Sequence, residues 1–190
     1  MGDAELIRAY VERGDERAFG ALVERYGDRV YSFLRWRSGN AETARDLFQE
    51  TFLRVLEALP RQYRHEGRFL PWVLRIAYRV WVDHWRRNGT GPRATSAEVC
   101  REEDGQEPEL SAEEPDPLEA LEAQEQEALL RRWIEELSDP QREVVLLRLY
   151  GELSFREIAE LLGVPLNTVL ARMHYAVRKL RERVQRSYVL

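Results

Sequence analysis

One stretch of the chain cannot belong to a folded core, and it divides the rest into two parts. Residues 91–127 hold 13 acidic and 2 basic residues, with almost no large apolar side chain between positions 93 and 117. Such a composition cannot bury enough apolar surface to offset the entropy lost when the backbone is ordered. We therefore predict a flexible acidic linker at 91–127 between two small domains, 1–90 and 128–190. The linker also contains Gly91, Pro92, Gly105, Pro108, Pro115 and Pro117.

The net charge of −5 is unevenly distributed along the chain. Residues 1–90 have 16 basic and 13 acidic residues, a net +3, and residues 128–190 have 11 basic and 8 acidic residues, also +3. The linker alone carries −11. The two domains are therefore mildly basic, which is compatible with a nucleic-acid partner that the total charge would not suggest.

Apolar residues recur at helical spacing on both sides of the linker, so we predict an all-α fold of two small helical domains. In the N-terminal domain Asp15 is placed to cap one helix. Asn40 is placed to cap a second helix, which we expect to end before Pro60 because proline disrupts a helix interior. A polar, basic loop at 60–68 then precedes a last helix from about Phe69 to Arg87.

The C-terminal domain contains the clearest motif, a pair of short helices that meet at a tight turn. A helix near 118–137 and another that starts at Ser138-Asp139-Pro140 come first. Ser154 and Glu157 then form a capping box, and Gly163 ends that short helix. An amphipathic helix follows from Leu166. The pair is typical of a helix-turn-helix, whose second helix enters a DNA major groove, although a purely structural hairpin has the same pattern.

The outward face of the second helix of this motif is the candidate DNA-reading surface. Asparagine can read adenine and arginine can hold a phosphate, and the face offers Asn167 with Arg172 at its edge. It is otherwise short of positive charge. Its outward residues are Leu166, Asn167, Leu170, Ala171, His174, Tyr175 and Arg178.

A second candidate surface lies on the last helix of the N-terminal domain. Arg75, Arg79 and Arg86 share one face because they are spaced by four and seven residues. The basic loop before the helix contains Tyr63. Arginines supply phosphate contacts, and an aromatic residue in a loop can stack on an unpaired base. The alternative is a solvent-exposed arginine face over a tryptophan-rich core.

The helix from Ala41 to Leu59 has a polar face as well. Asp46, Gln49 and Glu50 lie mostly opposite its apolar side, together with Arg54. Periodicity alone favours a solvent-exposed face over a surface for a basic partner helix.

Nothing in the sequence favours catalysis or a cofactor. The three histidines are far apart and lack metal-ligand spacing, and Cys100 is the lone cysteine, so a cysteine zinc site is excluded. Neither a glycine-rich phosphate loop nor a nucleophile elbow is present. We predict no metal, no cofactor and no enzymatic activity. With no membrane-spanning stretch or charged-then-apolar leader, we expect a cytoplasmic protein.

As a set, these segments resemble the sigma-70 family, in particular the small extracytoplasmic-function sigma factors of bacteria. Four strings carry the resemblance in the family's order. Residues 15–22 with Tyr26 look like the opening of its first conserved region, and 46–53 (Asp-Leu-Phe-Gln-Glu-Thr-Phe-Leu) are similar to its polymerase-binding helix. Residues 69–87 resemble the helix that meets the promoter −10 element. Residues 137–144 with the helix-turn-helix resemble the −35-binding domain.

The resemblance implies a promoter-specificity factor that works with core RNA polymerase. It implies a polymerase-binding set of Asp46, Gln49, Glu50, Phe52 and Arg54. It implies contacts with the melting −10 element by Tyr63, Arg64, Arg68, Arg75, Tyr78, Arg79 and Arg86. Contacts with −35 DNA are implied for Leu166, Asn167, Thr168, Leu170, Ala171, Arg172, His174 and Arg178. An anti-sigma protein is a further implied partner.

The resemblance also gives the linker a role and leaves two alternatives open. In the family the tether threads the polymerase cleft, and the two domains lie about 70 Å apart, two DNA turns. The 37 residues of the linker reach roughly 120 Å when extended, which is enough to span that distance. The chain departs from the family at Leu170 and Ala171, where Lys or Arg and then Ser are usual, and at Tyr78-Arg79, usually Arg-Asn. These departures keep two other hypotheses open: a decoy that titrates an anti-sigma protein, and a stand-alone helix-turn-helix regulator.

Overall fold

A computed structural model describes residues 1–63, 68–87 and 128–187. The predicted linker and Arg64 lie outside these described residues. Every regular element in the described ranges is an α-helix, as the apolar periodicity predicts. Among the described helices none is long and apolar enough to cross a bilayer.

The N-terminal domain consists of four helices, α1 (Asp3–Arg13), α2 (Glu16–Ser38), α3 (Ala41–Gln62) and α4 (Phe69–Arg87). The predicted caps of α2 and α3 are confirmed. The Asp15 carboxylate accepts from the backbone amides of residues 17 and 18, and the Asn40 side chain accepts from those of residues 42 and 43. Local capping chemistry therefore sets where the two long helices begin.

Two features of this domain differ from the expectation. Helix α1 was not predicted, and Asp3 holds it against α2 by accepting from Arg25 and from the Tyr26 hydroxyl. Burial, together with the Asp3 carboxylate, raises the pKa of Tyr26 to about 12. The prediction that α3 ends before Pro60 was wrong, because α3 continues through Pro60 to Gln62. Pro60 lies two residues from the end of α3, so little helix follows the position where its missing N–H and its ring disturb the backbone.

The C-terminal domain contains a helical stretch at 128–135, here α5, followed by α6 (Asp139–Gly151), α7 (Phe155–Leu162) and α8 (Leu166–Ser187). The predicted start signals are confirmed, since Ser138 and Ser154 both form capping boxes. Gly163 ends α7 with a φ of 65°, a left-handed conformation that glycine adopts without strain. Helices α7 and α8 form the helix-turn-helix.

The two domains pack against each other through α6, which sequence reasoning did not predict. One stripe of α6, spaced as 143, 147, 150 and 151, faces α2 and α4. The Trp36 indole N–H donates to the Tyr150 hydroxyl at 2.9 Å. Gly151 lies so close to α4 that a Cβ there would be 3.3 Å from Leu74. Since Leu147 in the same stripe is fully buried, the contact continues the apolar core from one domain into the other.

Candidate polymerase and promoter surfaces

The predicted polymerase-binding residues of α3 form a stripe on the side of the helix away from the core. Asp46 and Gln49 are exposed there, and Glu50 is partly exposed. Leu53 continues the stripe with 61% of its surface exposed, and Glu57 ends it. We call these five residues the core-binding stripe. An exposed leucine among acidic and amide groups suits a helix that packs against a partner helix of mixed character.

Phe52 does not belong to this stripe. It is only 7% exposed, and its ring packs on Phe48 at 4.8 Å and on Phe19 at 6.3 Å between ring centroids. Phe52 is therefore a core residue in this conformation. Sequence reasoning missed Leu53, although its spacing of four from Gln49 and seven from Asp46 was the signal that could have found it.

Glu50 and Arg54 belong to an ion-pair network that joins α3 to α4. Arg54 lies 2.6 Å from Glu50 and 3.0 Å from Asp83. Arg87 also approaches Glu50, at 3.3 Å. The network fixes the end of α4 against the core-binding stripe, so Arg54 positions its neighbours rather than standing free for a partner.

The predicted −10 residues lie on one side of α4 and beside its start. We call Arg68, Arg75, Tyr78, Arg79 and Arg86 the −10 face. Arg79 and Arg86 are exposed, whereas Arg75 and Tyr78 are partly buried. The side chains differ in exposure because the C-terminal domain covers the first half of α4 and leaves the second half open.

Carboxylates of the C-terminal domain cover this part of the −10 face. Glu157 in α7 pairs with Arg68 at 2.8 Å and with Arg75 at 3.0 Å. Burial raises the pKa of Glu157, but hydrogen bonds from Ser154 and from Arg68 outweigh it, so the pKa lies below its ordinary value. The residue is thus an anion held between two cations.

Glu143 in α6 makes the second contact of this kind. It accepts from the Tyr78 hydroxyl at 3.1 Å and pairs with Arg37 at 3.2 Å. The Arg37 guanidinium stacks on the Trp81 ring at 3.8 Å, and its Nε has no hydrogen-bond partner among the described residues. Burial lowers the pKa of Arg37, while the charge of Glu143 opposes that shift.

Burial of Tyr78 and the neighbouring Glu143 carboxylate also raise the pKa of the tyrosine well above its ordinary value. The hydroxyl therefore remains protonated and can donate a hydrogen bond at any pH a cell experiences.

Tyr63 lies at the end of α3 against two aromatic residues of α4. Its ring centroid is 4.9 Å from that of Trp72 and 5.7 Å from that of Phe69. The ring of Tyr63, which is predicted to stack on an unpaired base, thus packs against the core of the N-terminal domain.

The outer face of α8 is exposed, as periodicity predicts. We call the predicted set Leu166, Asn167, Thr168, Leu170, Ala171, Arg172, His174 and Arg178 the −35 face. Leu166 and Leu170 are 39% and 41% exposed, and Thr168 and Arg172 are partly buried at its edges. Arg178 lies over the ring of Tyr175 at 5.1 Å. The face is open, apolar at its centre and positive only at its edges.

No group of three or more His, Cys, Asp or Glu side chains within the described ranges is placed to hold a metal ion.

Two family descriptions match the chain. Sigma-70 region 2 matches residues 22–90, and Sigma-70 region 4 matches residues 127–180. Most of α2 and all of α3 and α4, with both the core-binding stripe and the −10 face, lie in the first match. Helix α7 and most of α8, which form the helix-turn-helix, lie in the second.

Curated relatives cover nearly the whole chain. The ECF RNA polymerase sigma factor BldN of Streptomyces coelicolor is 33% identical over 94% of this chain and 66% of its own length. SigE of Mycolicibacterium smegmatis is 34% identical over 89% of this chain and 63% of its own length. SigW of Bacillus subtilis is 28% identical over 92% of this chain and 93% of its own length. The chain thus spans about two thirds of the first and second of these relatives and nearly all of the third.

Two solved structures share the fold. One is CnrH in complex with the cytosolic domain of CnrY, with a TM-score of 0.58 and 23% identity over 94% of this chain and 95% of that one. The other is the sigma factor RpoE with the anti-sigma factor NepR from Bartonella quintana, with a TM-score of 0.58 and 17% identity over 88% of this chain and 96% of that one. With both region matches and these relatives, the chain belongs to the sigma-70 family as an extracytoplasmic-function sigma factor, a transcription initiation factor, not an enzyme, that directs RNA polymerase to promoters.

Proposed function

We propose that the chain divides its work as an initiation factor between domain 1–90, which binds core polymerase and the −10 element, and domain 128–190, which binds −35 DNA. The acidic linker 91–127 joins them. The observation that carries this proposal is the placement of two separate surfaces, the core-binding stripe and the −10 face, on neighbouring helices of one domain.

The core-binding stripe contacts a helix of the polymerase. Asp46 and Gln49 supply polar contacts and Leu53 supplies the apolar anchor, a role the sequence suggested for Phe52. The residues that carry most of the binding energy usually lie near the centre of an interface, and Leu53 lies inside the stripe with 61% of its surface exposed. Glu50 contributes through its ion pair with Arg54, which fixes the stripe relative to α4.

The −10 face and the Tyr63 cluster hold the melted strand. Arginines 68, 75, 79 and 86 contact phosphates, and Tyr78 and Tyr63 offer rings on which bases stack. Arg64, which lies outside the described residues, is proposed to act with Tyr63. The cytoplasm is the proposed site of action, since promoter DNA and polymerase are found there.

The −35 face contacts duplex DNA through the major groove. Asn167 reads adenine, Arg172 and Arg178 hold phosphates at the edges, and Leu166, Thr168, Leu170, Ala171 and His174 line the groove. An anti-sigma protein is a proposed regulatory partner, supported by the complexes in which proteins of this fold have been solved.

Reconstitution with core RNA polymerase of the source bacterium, followed by genome-wide mapping of transcript starts, tests the proposal. Wild-type chain is expected to give discrete starts that core polymerase alone does not give. Asp46→Lys should weaken polymerase binding by tenfold or more, on the order of the loss of a central interface contact. Glu24→Lys is the matched control, because Glu24 is exposed on α2 away from the stripe.

The same measurements separate the alternatives. Capture of an anti-sigma protein without polymerase binding would identify a decoy. A tight mobility shift of duplex DNA by the chain alone would identify a stand-alone regulator. Either result, obtained with folded protein, would overturn the proposal.

A further inference from the structure

Two hydrogen-bond donors from different helices meet at the edge of the −10 face nearest to α2. Arg37 Nη2, near the end of α2, and the Tyr78 hydroxyl of α4 both donate to one oxygen, Oε1 of Glu143, at 3.2 Å and 3.1 Å. We call Arg37 and Tyr78 the donor pair. Arg37 lies outside every surface assigned above. The shared oxygen marks the point at which the donor pair holds a negatively charged acceptor.

Trp81 fixes the side chain of Arg37 in this position. The guanidinium lies 3.8 Å from the centroid of the Trp81 ring, and the indole N–H donates to the backbone carbonyl of Arg37 at 3.2 Å. Trp81 is only 5% exposed and belongs to the core. Stacking on an aromatic ring holds the planar guanidinium in one orientation. The N-terminal domain therefore supplies both the donor pair and the residue that supports it.

The anion that the donor pair holds here comes from the other domain. No carboxylate of the N-terminal domain forms an ion pair with Arg37 in the described ranges, and its partner is Glu143 of α6. In a promoter complex as proposed above, α6 accompanies the −35 DNA, about 70 Å from the −10 element. The donor pair can then bind another anion in the place of Glu143.

The same edge of α4 continues towards the exposed arginines of the −10 face. Trp85 follows Tyr78 by seven residues and so lies on the same side of α4, and its buried indole N–H has no hydrogen-bond partner in the part of the chain that the structure describes. Burial and Glu143 raise the pKa of Tyr78, while the charge of the exposed Arg86 partly opposes that rise. Donors and positive charge thus follow one another along this edge, which suits the acceptor oxygens of a phosphate backbone.

We infer that the donor pair is a binding site for one phosphate of the −10 strand, and that Arg37 is thereby a further DNA-binding residue of this chain. The inference rests on the proposed function, which brings that strand along α4. A phosphate oxygen takes the position of Glu143 Oε1 and accepts from both donors. Tyr78 contributes its hydroxyl here, in addition to the ring proposed above to stack on a base. A carboxylate of the polymerase would suit the pair as well, but the continuity with Arg86 favours DNA.

Arg37→Gln, assayed as a complex with core polymerase, is the main test. The probe is a labelled forked DNA whose single strand carries the −10 sequence of a mapped promoter. Loss of one phosphate contact should lower the affinity roughly fivefold near 0.1 M salt and make the plot of log affinity against log salt shallower by about 0.7. Arg37→Lys keeps the charge and should keep the slope of the wild type.

Single uncharged methylphosphonates, placed one at a time along the −10 strand, locate the contacted phosphate. One position should weaken wild type roughly fivefold and leave Arg37→Gln unchanged, because two changes to one contact are not additive. Tyr78→Phe removes the hydroxyl and keeps the ring. It should weaken binding about three- to tenfold and be less sensitive than wild type at the same position. This variant carries the test if circular dichroism shows that Arg37→Gln does not fold.

Glu143→Gln is the matched control, because it breaks the same ion pair from the other domain and leaves both donors in place. In the polymerase complex it should bind the fork as wild type does. Equal losses in Arg37→Gln and Glu143→Gln would overturn the inference, since Arg37 would then matter only for its contact with α6. A loss in Arg37→Gln that couples to no methylphosphonate would assign Arg37 to a polymerase contact and overturn it too.

The outcomes also separate this inference from the proposed function. If the wild-type chain with polymerase does not bind the fork, the proposed function fails, and the ligand assigned to the donor pair fails with it. If wild type binds the fork and Arg37→Gln binds it equally well with the same salt slope, only the inference fails.

Discussion

The two DNA-facing surfaces of this chain differ in both charge and cover. The −10 face has four arginines, and one carboxylate of the same chain, that of Glu157, pairs with two of them, Arg68 and Arg75. The −35 face has arginines only at its edges, and its apolar centre at Leu166 and Leu170 is exposed. The comparison teaches that a strongly charged surface attracts a partner within the chain, whereas a weakly charged surface can stay open without binding DNA indiscriminately.

The largest expected effect comes from removing a cation from the covered face. Arg75→Ala, assayed as a complex with core polymerase, should lower transcription from a mapped promoter by about tenfold or more, because a charge-assisted contact is worth about 1.5–3 kcal/mol. Arg29→Ala is the control, since Arg29 also pairs with the C-terminal domain but lies off the −10 face. Equal losses in both variants would mean that Arg75 matters for domain contact rather than for DNA.

A cation added to the open face should have the next largest effect. Leu170→Lys supplies one new phosphate contact, so affinity of the polymerase complex for −35 duplex should rise roughly five- to tenfold near 0.1 M salt, with a salt slope steeper by about 0.9. Leu130→Lys adds the same charge at a leucine of similar exposure on α5. An equal gain from Leu130→Lys would place the effect in the overall charge and not in the −35 face.

A smaller effect should reveal how an apolar face reads DNA. Apolar side chains contact the C5-methyl group of thymine in the major groove, so replacing thymine by uracil in the −35 element should weaken binding by up to about fourfold per contacted methyl, or ~0.8 kcal/mol. Titration of the two duplexes by fluorescence anisotropy measures the difference. It should disappear in Leu170→Ala, and its persistence there would assign the methyl contact to another residue.

The smallest expected effect concerns acid. Burial raises the pKa of Glu157, but hydrogen bonds from Ser154, followed by the contact with Arg68, lower it below its ordinary value, so the folded chain favours the ionised carboxylate. Its contribution is present above the ordinary glutamate pKa of about 4.3 and is lost as the pH falls through the lowered value. Thermal melts from pH 7 to pH 3.5 should show wild type losing about 1 kcal/mol or less relative to Glu157→Gln. Parallel pH profiles would show that the charge of the Glu157 carboxylate adds nothing to the stability of the folded chain.

Local signals account for most of what the sequence predicted. The starts of α2, α3 and α7 each depend on a capping side chain next to the helix, and at the start of α6 the Gln141 side chain accepts from the Ser138 N–H, so a short window of sequence is enough. The outward face of α8 follows from periodicity alone. Pro60 misled the prediction because the cost of proline depends on its distance from the helix end, which the sequence does not reveal.

Contacts between distant residues could not be predicted in the same way. Arg37 and Glu143 are 106 positions apart, and Arg75 and Glu157 are 82 apart. Their pairing depends on how two domains meet. A partial signal existed in the run Val144-Val145-Leu146-Leu147, because four consecutive apolar residues cover more of a helix than one neighbour can bury. Phe52 and Leu53 show the same limit. They are adjacent in sequence, so a small error in assigning the buried face of the helix exchanges the buried residue with the exposed one.

The apolar surface of α6 affects how well the protein resists aggregation and proteolysis in the absence of polymerase. The helix is apolar around much of its circumference, and its stripe at Leu147 and Gly151 is sheltered only as long as α2 and α4 lie against it. A chain that opened without a partner would present that stripe to water, and exposed apolar surface promotes aggregation and proteolysis. The packing of α2 and α4 on α6 therefore keeps this stripe out of water and limits both risks.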